Sequence, residues 1–130
     1  MRAVRRNLAL AVVVLFLSVS SIATASAGGR VLDDYCSESG DFCTYVIRKD
    51  GGAILFQIRA FADYFGRSDA CVTKETRACR SRSPRVSHGL FVWKIRWQGN
   101  YPNQGPGRYA VRWIDEGGSR IGPALHFRRG

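Results

Sequence analysis

The sequence predicts an all-β domain of the sandwich type, and three observations carry that expectation. Apolar and polar residues alternate through most of the chain after Cys43, as in LFVWKIRW and RYAVRWID. Turn signals rich in Gly, Pro, Asn and Asp recur roughly every 8–12 residues, the spacing of a sandwich or small barrel. No persuasive amphipathic helical period follows the first 27 residues.

Those 27 residues read as a signal peptide. Arg2, Arg5 and Arg6 form a basic head, LALAVVVLFLSV an apolar stretch, and Ala25-Ser26-Ala27 a small-residue cleavage site. The apolar run is shorter than the roughly 18 residues of a spanning helix, which favours cleavage over a retained anchor. No later segment is apolar enough to span a membrane. Taking 27 from 130 leaves 103 residues from Gly28 to Gly130, one domain's worth. A core of that size is modest, and staples would help it.

Losing three arginines reduces the 20 basic residues to 17 against 10 acids, a net charge of +7. Lys49, Lys74 and Lys94 are the only lysines. An exported chain of this charge is drawn to anionic envelope polymers, nucleic acid or acidic lipids, or is simply kept soluble.

Residues 28–42 read as an N-terminal arm, mobile over 28–35, and a first disulfide turn, and residues 43–130 as the sandwich. In CTYVIRKDGGAILFQIRAF, Asp50-Gly51 is a hairpin signal. A two-residue loop there sets Ile47 opposite Ile54, Tyr45 opposite Phe56 and Cys43 opposite Ile58, all facing the core. An aromatic loop, RAFADYFGRSD, follows. Strands are then expected at 69–74 and 77–83, with SPRVSHG as a loop, and a further strand at 90–97. In that strand Phe91, Trp93, Ile95 and Trp97 face inward. QGNYPNQGPG is a long turn. Tyr109, Val111 and Trp113 share the inner face of 108–115. Residues 120–128 make an edge strand, because Pro123 donates no ladder hydrogen bond. With 43–49 and 53–60 this gives about seven strands.

Cys36, Cys43, Cys71 and Cys79 form an even set in an exported domain, so they read as two disulfides with three possible pairings. Cys71 and Cys79 are symmetrical about Glu75, and a tight turn there would set them opposite each other on antiparallel strands. Closing that short loop contributes about 2.5 kcal/mol in the chain-entropy description. Cys36 and Cys43 make the matching local bridge.

GPGRYAVRW is the most specific local feature. It resembles the tyrosine corner of immunoglobulin-like sandwiches, in which a Tyr near the start of the penultimate strand bonds back to the preceding loop. The resemblance gives that role to Tyr109. Antibody domains carry a cysteine two positions later, where this chain has Val111, so the inter-sheet disulfide is absent. The mature chain also resembles a family of small exported actinobacterial proteins that share a YC…G…C start, a C…CR hairpin and a GPGRY.V.W…GP.L.F end. That family has no assigned activity, so the resemblance implies a fold and no mechanism. A looser similarity is to apo-chromoprotein carriers, exported sandwiches with two local disulfides; those are acidic, unlike this chain. Fold alone does not carry function.

Catalytic and metal chemistries find little support. Structural zinc sites space their cysteine pairs two to four residues apart, and here six and seven residues intervene. There is no C-x-x-C, G-x-S-x-G, H-E-x-x-H or P-loop. Ser87-His88 is a sequence pair in a loop with no acid placed behind it. His126 falls on an outward position. Asp33/Asp34 and Asp115/Glu116 read as arm and turn charges, since neither pair is flanked by residues that would desolvate it. No cofactor, no metal and no catalytic residue is expected.

Two surfaces remain as candidates. Arg77, Arg80, Arg82 and Arg85 make the second cysteine hairpin basic. Further arginines and lysines fall on both sheets (Arg48, Arg59, Lys94 and Arg96; Arg108, Arg112, Arg120 and Arg128), a spread that favours general solvation over one groove. The tryptophans have inward parity, so specific nucleic-acid binding is not expected. The second surface is the aromatic loop with Phe61, Tyr64 and Phe65, set at the same end as Asp115 and Glu116. It reads either as a plug closing the core or as a recognition surface. A smaller patch of outward apolar residues, Val46, Leu55, Leu90 and Val92, suggests a homodimer or partner contact, or a face covered by the arm.

The sequence thus predicts an exported, disulfide-stapled, immunoglobulin-like sandwich, extracellular or associated with the cell envelope. It acts as a non-enzymatic binding or structural module, with an anionic envelope polymer or another exported protein as partner. The alternatives are an inhibitor of secreted hydrolases presenting YPNQGPG, and a small-molecule carrier with an open apolar cleft. The oligomeric state is not encoded in any motif.

Overall fold

A computed structural model describes residues 29–97 and 101–130. The expected signal peptide, Gly28 and residues 98–100 lie outside the described residues. Among the described residues nine strands form two antiparallel sheets: β1 Gly29–Cys36, β2 Phe42–Lys49, β3 Ile54–Ala60, β4 Ser68–Thr73, β5 Arg77–Arg82, β6 Arg85–Ser87, β7 Leu90–Arg96, β8 Gly107–Ile114 and β9 Arg120–Arg129. One sheet has the order β1-β2-β3-β7-β6 and the other β5-β4-β8-β9. The all-β class and both local disulfides, Cys36–Cys43 and Cys71–Cys79, match the expectation, and no described cysteine is free. Each bridge joins neighbouring strands of one sheet, so no disulfide ties the two sheets together.

The strand count differs by two. Most of β1 falls in residues 28–35, expected as a mobile arm, yet it pairs with β2 from Gly29 opposite Lys49 to Cys36 opposite Cys43. A bulge between Val31 and Asp33 re-aims the strand. Leu32 then packs on the core, and Asp33 Oδ2 accepts a hydrogen bond from the His126 amide at 2.8 Å. Polar composition concealed this strand, because as an edge strand it buries few side chains. The second addition is β6, inside the stretch expected as a loop. His88 (φ 51°) and Gly89 (φ 78°) form a two-residue turn between β6 and β7 with both residues left-handed.

The β2–β3 register is a correction. Ile47 faces Leu55, Val46 faces Phe56 and Thr44 faces Ile58, one residue away from the expected pairing. The loop has three residues, Asp50-Gly51-Gly52, closed by Lys49 N–H to Ala53 O at 2.8 Å and Gly52 N–H to Lys49 O at 2.9 Å. Gly51 and Gly52 both have positive φ, which the second glycine makes possible. The slip turns β2 over. Val46 and Thr44 enter the core, while Tyr45, Ile47 and Cys43 move to the outer face. The expected outward patch changes its members: Val46 is fully buried and Val92 nearly so, while half-buried Leu55 stays outside and lines a depression with Val31, Tyr45 and Ile47.

The core lies between the sheets. Phe56, Trp93, Tyr109 and Trp113 are its largest buried side chains, with Val111 beside them. Rings interlock through it: Phe56 meets Phe127 and Tyr101 at 5.7 Å each, and Tyr109 stacks on Phe127 at 5.3 Å. β9 is the edge of its sheet, as Pro123 requires. The Tyr35 ring of β1 lies against Gly122 of β9, at a spot where a Cβ would meet it at 2.9 Å, and so closes one side. On the other side Tyr101 enters between the sheets and donates to Ala70 O at 2.8 Å.

Candidate functional site

Antiparallel order brings opposite strand ends together. The starts of β1 and β8 and the ends of β2, β7 and β9 all lie at one end of the sandwich. Each carries arginine there: Arg30, Arg108, Arg48, Arg96 and the Arg128-Arg129 pair. Arg30 is the direct cross-strand partner of Arg48 on one sheet, and Arg108 that of Arg128 on the other. Like charges placed directly opposite destabilise a sheet. Here both sheets do this at the same end.

The four arginines line one depression of about 510 Å³, with Leu32, His126 and Phe127 in its wall. A second depression of about 410 Å³ adjoins it, lined by Trp97, Asn103 and Arg129 as well as Arg48 and Arg128. Arg48 and Arg128 are thus the wall common to both. Arg48 Nη2 donates to the Arg128 carbonyl at 3.1 Å, tying one sheet's end to the other's. Arg129 Nη1 donates to Asn103 Oδ1, and its guanidinium lies 5.7 Å from the Trp97 ring centre. No Asp or Glu side chain lines either depression. Such a basin offers several charged fork donors with free N–H groups, which suits an anion of high charge density.

The residues singled out from sequence are divided by the structure. Arg80 turns inward over the Tyr101 ring, 5.3 Å from its centre. Arg82 and Arg85 line a separate depression with Lys94 at the β5–β6 corner, and Arg77 stands exposed. In the aromatic loop, Phe65 packs 5.5 Å from Trp93 and 5.1 Å from Phe42, and so closes that end of the core. Phe61 and Tyr64 are exposed, by 66% and 50%. The loop does sit beside Glu116, whose amide donates to Phe65 O at 3.1 Å. The cationic basin was missed because charges were sorted by sheet face. Sorting them by strand end, with alternate strands reversed, finds it.

Burial raises the Tyr101 phenol pKa well above its ordinary value; the nearby Arg80 charge opposes that shift, and Asp69 adds to it. Tyr101 is therefore a neutral core donor. Ser87 Oγ lies 3.2 Å from His88 Nδ1, both exposed at a turn. Asp115 Oδ1 accepts the Ser119 amide at 2.8 Å, a turn-closing role. Among the described residues no cluster of His, Cys, Asp and Glu could hold a metal, and no helix is long and apolar enough to cross a membrane. Tyr109 donates to Gly105 O at 2.7 Å and accepts from the Gln104 amide at 2.9 Å. No protein-family model, no curated protein and no solved structure matches the chain.

Proposed function

We propose that the protein is an exported, non-enzymatic binding module on an immunoglobulin-like sandwich, which grips an anionic polymer of the cell envelope through the basin at its basic end. The single observation that carries this reading is the convergence of Arg30, Arg48, Arg108 and Arg128 on one depression that no Asp or Glu side chain lines. A fold that accepts two like-charge cross-strand pairs at one end gives up stability there, and a bound anion restores it. The Tyr109 hydrogen bonds to the preceding loop support the immunoglobulin-like assignment. Two disulfides fit an extracellular location.

The alternatives have less support. A small-molecule carrier needs an open apolar cleft, and the space between the sheets is filled by packed rings. An inhibitor needs a protruding loop, yet in YPNQGPG Tyr101 and Pro102 are buried. Gln104 Oε1 of that loop accepts the Glu75 amide at 2.8 Å and the Thr76 amide at 3.2 Å.

The test compares two double variants of equal charge on an immobilised anionic polymer: Arg48→Glu with Arg108→Glu, and Arg67→Glu with Arg120→Glu at the other end. The first pair is expected to elute at much lower salt than the second. Equal losses would mean that net charge, and not the basin, holds the polymer.

A further inference from the structure

Resting on that reading, we infer that the basin is a two-part site for a flexible chain of phosphate groups, which crosses the Arg48–Arg128 wall and places successive phosphates on either side. The two depressions share those two residues and nothing else. One small anion fills one of them; a chain with repeated charges reaches both.

The chemistry favours phosphate. The guanidinium groups approach from two sheets, Arg30 and Arg48 from one and Arg108 and Arg128 from the other. A tetrahedral phosphate has oxygens in several directions and can accept from both sheets at once. A planar carboxylate accepts one fork in its own plane. Arg48 spends Nη2 on the Arg128 carbonyl, which fixes its plane and leaves its other N–H groups for a ligand. Arg129, held by Asn103 and set over Trp97, is likewise fixed before a ligand arrives. Arginines that are already ordered lose less freedom on binding.

The same surroundings disfavour nucleic acid. Single strands bind where exposed aromatic faces stack on bases. Here Trp97 is half-buried against Tyr109 and Phe127, at 5.0 and 5.2 Å, with Arg129 over its ring. A phosphate chain without bases needs no such platform. Inorganic polyphosphate and a polyol-phosphate polymer share this chemistry.

The experiment is calorimetric titration of the oxidised protein at fixed ionic strength with orthophosphate, tripolyphosphate, long-chain polyphosphate, a glycerophosphate oligomer, dextran sulfate and single-stranded DNA. The chains are expected to bind more than about tenfold tighter than orthophosphate per phosphate, because they occupy both depressions. Arg108→Gln and Arg129→Gln, one on each side of the wall, each weaken chain binding by on the order of tenfold. Arg67→Gln at the opposite end leaves it unchanged. Both variants replace exposed side chains, and their melting curves establish that they fold. Tight binding of the glycerophosphate oligomer identifies a polyol-phosphate source; binding of inorganic chains alone identifies polyphosphate. Equal affinity per charge for dextran sulfate or DNA, or for orthophosphate, overturns the phosphate-chain inference and leaves an anionic partner standing. Absence of binding to every probe overturns both readings.

Discussion

Arg108 on β8 and Arg128 on β9 are direct cross-strand partners, and Arg30 and Arg48 repeat that pairing of like charges on the other sheet. The two pairs meet at one end of the sandwich and line a single depression. Repulsion there opposes folding at low ionic strength.

Arg108→Gln is therefore expected to stabilise the unliganded protein by about 0.5 kcal/mol at low ionic strength. Urea unfolding measures it. The advantage shrinks as salt is raised, because these are exposed charges. The same variant binds polyanion more weakly. A gain in stability coupled to a loss of binding distinguishes a ligand site from a structural one.

Tyr109 makes two hydrogen bonds with one buried hydroxyl, donating to Gly105 O and accepting from Gln104 N. Tyr109→Phe keeps the ring and leaves both backbone groups without that partner. The expected cost is about 2 kcal/mol, seen as a lower urea midpoint with an unchanged slope.

Tyr101 gives the stability a basic limb. Its phenol pKa lies above the ordinary 10.0 in the fold, mainly through burial. Above that ordinary value the unfolded chain loses this proton while the folded chain keeps it, so the stabilisation is complete below pH 10 and falls as pH rises further. The slope is at most about 1.4 kcal/mol per pH unit. Tyr101→Phe loses the bond to Ala70 O at neutral pH, and its stability declines less steeply above pH 10. Unfolding curves taken from pH 8 to 11 check both parts.

Thr44 is 1% exposed, and its hydroxyl has no partner among the described residues. Thr44→Val preserves the shape and removes a buried polar atom that gains nothing in the fold. Stabilisation of about 1 kcal/mol is expected, read as a raised melting temperature.

These residues also mark where the sequence was legible. Strands β8 and β9, and β7 from Trp93 onward, could be read because each has one apolar parity and one polar parity. Trp93, Trp113 and Leu125 are buried while Lys94 and Arg96 are exposed. Strand β2 could not, because Val46 lies on one parity and Tyr45 and Ile47 on the other. With both faces apolar, the turn set the register, and one extra glycine decided it. The edge strands β1 and β6 were illegible for a related reason: they bury too little to leave a pattern. The cysteine pairs were readable because the turn between them fixes the distance. The basic basin required knowing which strand ends coincide, and that belongs to topology, not to local pattern.

The most direct test of the central claim is a backbone-amide map of the oxidised protein titrated with an anionic polymer, by nuclear magnetic resonance. Perturbations are expected at Arg30, Arg48, Arg108 and Arg128-Arg129, with the aromatic loop from Phe61 to Arg67 and the turn from Asp115 to Ser119 left unmoved. Perturbations centred on Phe61, Tyr64 and Glu116, with the basin silent, would contradict that claim.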